Sequence, residues 1–164
     1  MNILRPLAAR IVGQSIRLFA RAITAVRADW QGIEPIPRQR VYYSNHTSNG
    51  DMPMIWSVLP PALRRDVRPV AAADYWLKNK LRAFVGPEVF NCVLIDRRPE
   101  VDDKPMDKIL AALDEGSSLI IFPEGNRNMT DADLLPFKAG LYNMGLARPD
   151  VDLVPTWVAN LNTI

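Results

Sequence analysis

Hydrophobic and polar positions along this chain fall into two regimes. Over residues 1 to 28 they recur with helical spacing. At ~100° per residue, Arg10, Gln14, Arg17, Arg21 and Thr24 gather in a polar arc roughly 100° wide. Leu4, Leu7, Ile11, Leu18, Phe19, Ile23 and Val26 lie on the other side. From Arg40 onward, short apolar runs alternate with helix-like segments. Strands are predicted at 40–44 (R-V-Y-Y-S), 67–72, 89–95 and 118–122 (S-L-I-I-F), with 151–158 strand-like. Helices are predicted over 51–59, stopping at Pro60-Pro61, and from an Asp74 cap to about Phe84. A third runs from Asp102 or Asp103, with Pro105 in its first turn, to Gly116, and a fourth covers 138–148. The Pro-rich stretch Gly32 to Pro37 reads as a linker. Such alternation implies an α/β sheet with helices packed on it. The expected organisation is an amphipathic helical segment over 1–31 followed by one α/β domain over 32–164.

Composition narrows the functional classes. The chain has 164 residues, enough for one real core, and 48% of them are apolar, which excludes a disordered chain. A net charge of only +2 argues against a footprint for duplex nucleic acid. The single cysteine, Cys92, excludes an intrachain disulfide and a cysteine-cluster metal site, and fits a reducing compartment. No run reaches the ~18 apolar residues a membrane span needs. Arginines interrupt the first 27 residues and leave no clean secretory signal.

The same arginines change the reading of the amino-terminal helix. Arg5, Arg10, Arg17, Arg21 and Arg27 occur with no acid among residues 1 to 28. A wide apolar face with a cationic edge suits a helix lying among lipid headgroups. A helix packing its apolar face on the domain is the plainer alternative, and a transit peptide also fits an Arg-rich, acid-poor start. Gly13 is expected to kink or divide the helix.

Three polar clusters each follow an apolar strand candidate, where open α/β sheets bind ligands. The first is Asn45-His46-Thr47-Ser48-Asn49-Gly50-Asp51, with the chain's only histidine. An imidazole accepts protons near neutral pH, and a carboxylate on its other nitrogen would fix the tautomer. Residues five apart lie ~140° apart on an ideal helix. His46 and Asp51 can therefore meet only if the backbone turns between them, and Gly50 is expected to ease that turn. The second cluster is Ile95-Asp96-Arg97-Arg98, where an arginine can clamp phosphate. The third runs from Phe122 to Asn128 (F-P-E-G-N-R-N), with Gly125 letting backbone approach a ligand and Arg127 again suited to phosphate. Each cluster alone is also compatible with capping, a surface turn or a solvated ion pair.

Together the clusters resemble the glycerolipid acyltransferase family, typified by lysophosphatidic acid acyltransferases. That family's N-H-x-S-x-x-D pattern is met by Asn45, His46, Ser48 and Asp51. Its apolar strand ending in D-R is similar to Leu94 through Arg97. Its F-P-E-G-T-R-S is similar to Phe122 through Asn128, and its V-P segment to Val154-Pro155. The resemblance spans roughly residues 40 to 160. It implies a glycerol-3-phosphate acyltransferase-like fold, a mixed sheet flanked by helices. It implies that His46 is the general base and Asp51 its orienting partner. Arg97, Glu124, Gly125 and Arg127 would bind the acceptor and its phosphate. An acyl thioester of coenzyme A or acyl carrier protein would be cosubstrate, with no other cofactor and no metal. The acceptor would be a lysophospholipid, the setting phospholipid biosynthesis at the cytoplasmic face of a membrane. Asn126 and Asn128 replace the usual Thr and Ser, which points to retuned acceptor contacts. Backbone amides near the His46 turn are expected to face the oxyanion. Family members usually continue past the V-P segment, so the domain is expected to be incomplete at its carboxyl end. The competing readings are an inactive lipid-binding remnant, a serine hydrolase using Ser44 or Ser48, and a phosphohydrolase holding Mg²⁺ on Asp51, Asp96 and Glu124. The hydrolase lacks a G-x-S-x-G elbow, and no D-x-D supports the metal.

Overall fold

The computed structural model describes residues 4–96 and 104–159. Helix α1 spans Leu4–Thr24. It stops where Ala25 takes a positive φ of 48°. The helix runs unbroken through Gly13. That glycine lets α1 lie close to its neighbours, because a Cβ there would stand 3.2 Å from Val89 Cγ1 and 3.5 Å from the Trp56 ring. The face turned inward carries Ala9, Gly13 and Ala20, with Ile16 packed against the core. The large residues Leu4, Leu7, Ile11, Leu18, Phe19 and Ile23 point outward and are exposed.

Five strands follow: β1 (Arg40–Ser44), β2 (Val67–Ala72), β3 (Val93–Ile95), β4 (Ser118–Ile121) and β5 (Asp152–Thr156). Their order across the sheet is β3-β2-β4-β1-β5. All the described pairings are parallel, with Tyr42 opposite Ile120 on one side and Val154 on the other. An antiparallel component of the expected mixed sheet is not among these strands. Parallel strands buried on both faces read as continuous apolar runs, and β4 is buried at every position.

Each face has its own core. Tyr42, Ile120 and Val154 face α2 (Asp51–Val58), α3 (Pro61–Arg64) and the inward side of α1, where Ile55, Trp56 and Leu63 join them. Val41, Leu119 and Ile121 face α6 (Pro105–Asp114) and α7 (Gly140–Ala147), meeting Leu113 and Met144. Fully burying side chains such as Leu119 and Ile120 stabilises by about 1.5–3 kcal/mol each.

Between β2 and β3 the chain departs from the predicted elements. The helix expected from Asp74 to Phe84 is split into α4 (Ala73–Trp76) and α5 (Lys80–Phe84). Asn79, not Asp74, makes the cap, its side chain accepting from the Arg82 N–H at 2.9 Å. Val85–Val89 then forms a π-helical turn, so the apolar run from Val89 contributes a strand only from Val93. The turn is shaped by packing, with Trp76 lying against Gly86, where a Cβ would come within 2.8 Å of the indole. Helix α6 begins at Pro105 after Lys104 and closes before Gly116, whose φ is +83°. Asp102 and Asp103, the expected caps, lie outside the described residues, as does Arg97. Helix α7 starts at Gly140, two residues later than expected.

Candidate active site

The carboxyl ends of β1 and β4 deliver the first and third clusters to one place. Past Ser44 the chain turns through 45–50 into α2, whose first residue is Asp51. The turn does not use the conformational freedom of Gly50, which has φ −80° and ψ −17°. Ser48 builds it instead: its carbonyl accepts from the Asp51 N–H at 3.3 Å and its hydroxyl from the Gly50 N–H at 3.1 Å. Such local side-chain-to-backbone bonds are what serine offers in tight turns.

The turn brings His46 back over the helix start. His46 Nδ1 lies 2.9 Å from Asp51 Oδ2. That same oxygen accepts from the Thr47 N–H at 2.7 Å and the Ser48 N–H at 2.8 Å. Asp51 is fully buried at the positive end of α2, where a carboxylate is favoured. Three donors converging on one acceptor fix the imidazole with its proton on Nδ1, which leaves Nε2 free to accept a proton. The ring also stacks on Phe122, with centroids 4.2 Å apart and planes at 23°.

Glu124 holds the same loop from behind. One carboxylate oxygen accepts from the His46 N–H at 2.8 Å and the other from the Leu135 N–H at 3.1 Å. The Asn128 N–H donates to the His46 carbonyl at 2.6 Å. Glu124 is 3% exposed and is not part of the cavity wall. Its geometry is that of a brace for His46, in place of the phosphate contact expected from the sequence. Asn128 is likewise turned to the loop, accepting from the Thr130 N–H and hydroxyl and donating to the Ala132 carbonyl. The amides of Thr47, Ser48 and Gly50 are spent on Asp51 and Ser48, so they do not supply the expected oxyanion donors.

His46 opens onto a cavity of about 740 Å³. Its polar side is formed by Gly125, Asn126, Arg127 and Lys138. Its apolar side is formed by residues such as Val70, Ile109, Ile121, Leu141 and Met144. The structure thus brings His46, Asp51, Gly125 and Arg127 to one site. Gly125, with φ +75°, approaches a lysine side chain rather than open space. Lys138 lies in none of the three clusters, while Asn45 and Phe122 stand in them without an expected role of their own. Asn45 exchanges two hydrogen bonds with Val158, donating to its carbonyl at 2.9 Å and accepting from its N–H at 2.8 Å.

The arrangement favours proton transfer over the competing chemistries. The Ser44 hydroxyl donates to Asn45 and the Ser48 hydroxyl accepts from Gly50, while the bonded nitrogen of His46 faces Asp51. Neither of these two serines is therefore poised on His46 as a nucleophile. Among the described residues no group of three or more His, Cys, Asp or Glu converges to hold a metal ion. A second cavity of about 710 Å³ lies on the far side of α2, between the 24–33 connector and the end of β5, and does not include His46.

Comparison with known proteins places this geometry among relatives. A family model described as Acyltransferase matches residues 27–159. A Dictyostelium discoideum protein described as Taffazin is 31% identical over 114 residues, which covers 65% of this chain and 38% of that protein. The crystal structure of the 1-acyl-sn-glycerophosphate (LPA) acyltransferase, PlsC, from Thermotoga maritima aligns with a TM-score of 0.60 at 21% identity. That alignment covers 90% of this chain and 57% of the other, and shows the shared fold. The chain spans less than two thirds of either protein.

Proposed function

Because the chain belongs to the acyltransferase family, we propose that it moves a fatty acyl group from an acyl thioester to the hydroxyl of a lysophospholipid, with 1-acyl-sn-glycerol 3-phosphate the first acceptor to test. The donor would be a thioester of coenzyme A or acyl carrier protein, and the setting phospholipid biosynthesis. The observation that carries this reading is the 2.9 Å contact of His46 with buried Asp51 at the mouth of a large, mainly apolar cavity. In the reaction, His46 Nε2 takes the acceptor hydroxyl proton as that oxygen attacks the thioester carbonyl. The C–O bond forms, the C–S bond breaks, and the departing sulfur takes the proton back from the imidazolium. The apolar wall suits the hydrocarbon chain, and Arg127 suits the phosphate, with positioning supplying much of the rate. Arg97 keeps the same proposed role from outside the described residues.

The amino-terminal segment supports action at a membrane surface. No described helix is long and apolar enough to cross a membrane. Helix α1 instead turns its small residues inward and its large apolar ones outward. Arg64 lies beside this flank, its guanidinium held below the usual range by burial and then by the charges of Arg17 and Arg21. Clustered cations with no acid between them suit anionic headgroups on the cytoplasmic face. In this reading residues 1–31 seat the domain of 32–164 on the bilayer.

The test is a mass-spectrometric transfer assay across several donors and acceptors, on the chain and on His46→Ala. Transfer is expected with a lysophospholipid acceptor and is expected to vanish in His46→Ala with the circular dichroism spectrum unchanged. Near-normal turnover in that variant, or liposome binding with no transfer under any pairing, would defeat the reading.

A further inference from the structure

The chain leaves α4 and enters α5 through Leu77-Lys78-Asn79-Lys80-Leu81-Arg82, a stretch with two large apolar residues, three cations and no acid. The fold keeps this mixture at the surface. Leu77 is 55% exposed and Leu81 72% exposed, and Lys78 and Lys80 are exposed between them. A single exposed leucine is ordinary. Two of them interleaved with lysines on one short excursion mark a surface built to meet something.

Packing sets this stretch at the rim of the His46 cavity. The Arg82 guanidinium lies over the Tyr75 ring at 4.3 Å, and Tyr75 meets Trp76 edge to face with centroids 5.4 Å apart. Both aromatic rings line the cavity, and Tyr75 remains 36% exposed. The same stretch is joined to the flank of α1. The π-helical turn Val85–Val89 packs against α5 on one side and α1 on the other. Arg5 pairs with Glu88 of that turn at 2.8 Å, and Gly13 leaves room for Val89. The outward apolar residues of α1 and the two leucines thus flank one packed turn.

We propose that residues 77–82 are a second bilayer contact, separate from α1, which sets the rim of the His46 cavity against the lipid surface. An anionic bilayer matches both halves of the chemistry. Leu77 and Leu81 enter the boundary between headgroups and acyl chains, while Lys78, Lys80 and Arg82 meet phosphates. Tyr75, apolar in its ring and polar at its tip, suits headgroup level. A lysophospholipid then passes from bilayer to cavity along Tyr75 and Trp76 without crossing water. The inference rests on the reading that this cavity takes a lipid acceptor, and it adds a place of entry that α1 alone does not give. An acidic carrier protein is the other partner such cations could meet, and the test includes it.

A polarity-sensitive fluorophore is attached at Leu81→Cys in a Cys92→Ala background. Emission is read with vesicles of phosphatidylglycerol and phosphatidylcholine, and again with brominated lipid in the vesicles. A blue shift and quenching by the brominated lipid are expected. Unshifted emission, or a shift with acyl carrier protein and none with vesicles, would overturn the proposal. The second measurement is transfer by a variant carrying both Leu77→Glu and Leu81→Glu, its circular dichroism matched to the wild type. It is expected to lose about tenfold in rate on a long-chain lysophosphatidate embedded in vesicles, and to keep its rate on a short-chain, water-soluble lysophosphatidate. Wild-type rates on vesicles, or equal losses on both acceptors, would overturn the contact. Insertion of the label in a chain that transfers no acyl group would sink the catalytic reading and leave the contact standing. Transfer from a chain whose label stays in water would do the reverse.

Discussion

His46 owes its position less to its own side chain than to partners that never touch the cavity. Glu124 is the most informative of these, because it satisfies two backbone N–H groups of separate loops from a buried position. In Glu124→Gln one of the two amides would face an NH₂ group. An unsatisfied buried donor costs about 1–3 kcal/mol, and a chain of this size loses roughly 2–4 °C of melting temperature per kcal/mol. Differential scanning calorimetry is therefore expected to show a drop of roughly 2–12 °C, with transfer falling because the His46 loop loosens. An unchanged melting temperature would show that the brace is dispensable. The residue types of this site were legible in the sequence, but their contacts were only partly so. Five-residue spacing puts His46 and Asp51 on different helix faces, and it takes the Ser48 turn to join them. Glu124 read as a ligand contact because sequence shows a carboxylate in a motif and not the two amides it meets. Lys138 escaped notice because its link to the site is a backbone bond to Pro123.

At the scale of elements, α1 illustrates what a helical wheel shows and what it hides. The wheel finds one wide apolar arc. The structure divides that arc by size, with Ala9, Gly13 and Ala20 toward the protein and Leu4, Leu7, Ile11, Leu18 and Phe19 away from it. Replacing both Leu18 and Phe19 by Glu should therefore leave the fold intact, since neither is buried. It should weaken sedimentation with anionic liposomes tenfold or more, given ~1.5–3 kcal/mol for each large apolar side chain. Full retention of liposome binding would remove α1 as the membrane contact. The strands at 40–44 and 67–72 were legible to the residue, being short apolar runs bounded by polar or Pro-containing segments. The stretch from 74 to 95 was not. A continuous apolar run does not distinguish strand from helix, and the π-helical turn at Val85–Val89 depends on Trp76 resting on Gly86, a contact between segments that periodicity does not encode.

The molecule as a whole is a parallel sheet with a core on each face, and Cys92 sits in the core shared with α2 and α1. Burial pushes its thiol up to about 12, with the charge of Arg68 opposing. An unfolded thiol ionises near its ordinary value of about 8.5. Between about pH 9 and 12 the unfolded chain has therefore released a proton that the folded chain keeps. The unfolded state binds fewer protons there, so stability is intact below pH 8 and falls as pH rises, by about 1.4 kcal/mol per pH unit from this group. Urea midpoints measured from pH 8 to 10.5 should fall more steeply for the wild type than for Cys92→Ala. Parallel slopes would place the thiol in a far more polar setting.

The paired bonds between Asn45 and Val158 tie the residue preceding His46 to the chain just beyond β5. A side-chain amide stands in for a peptide group and extends the β1–β5 ladder by one rung past its last backbone pair, Ser44 opposite Thr156. The residue before His46 and the chain just past β5 are thus fastened together by two hydrogen bonds, on a side of the loop away from the cavity wall. Deuterium uptake at the Val158 amide is accordingly expected to read out, from a distance, how firmly the His46 loop is seated.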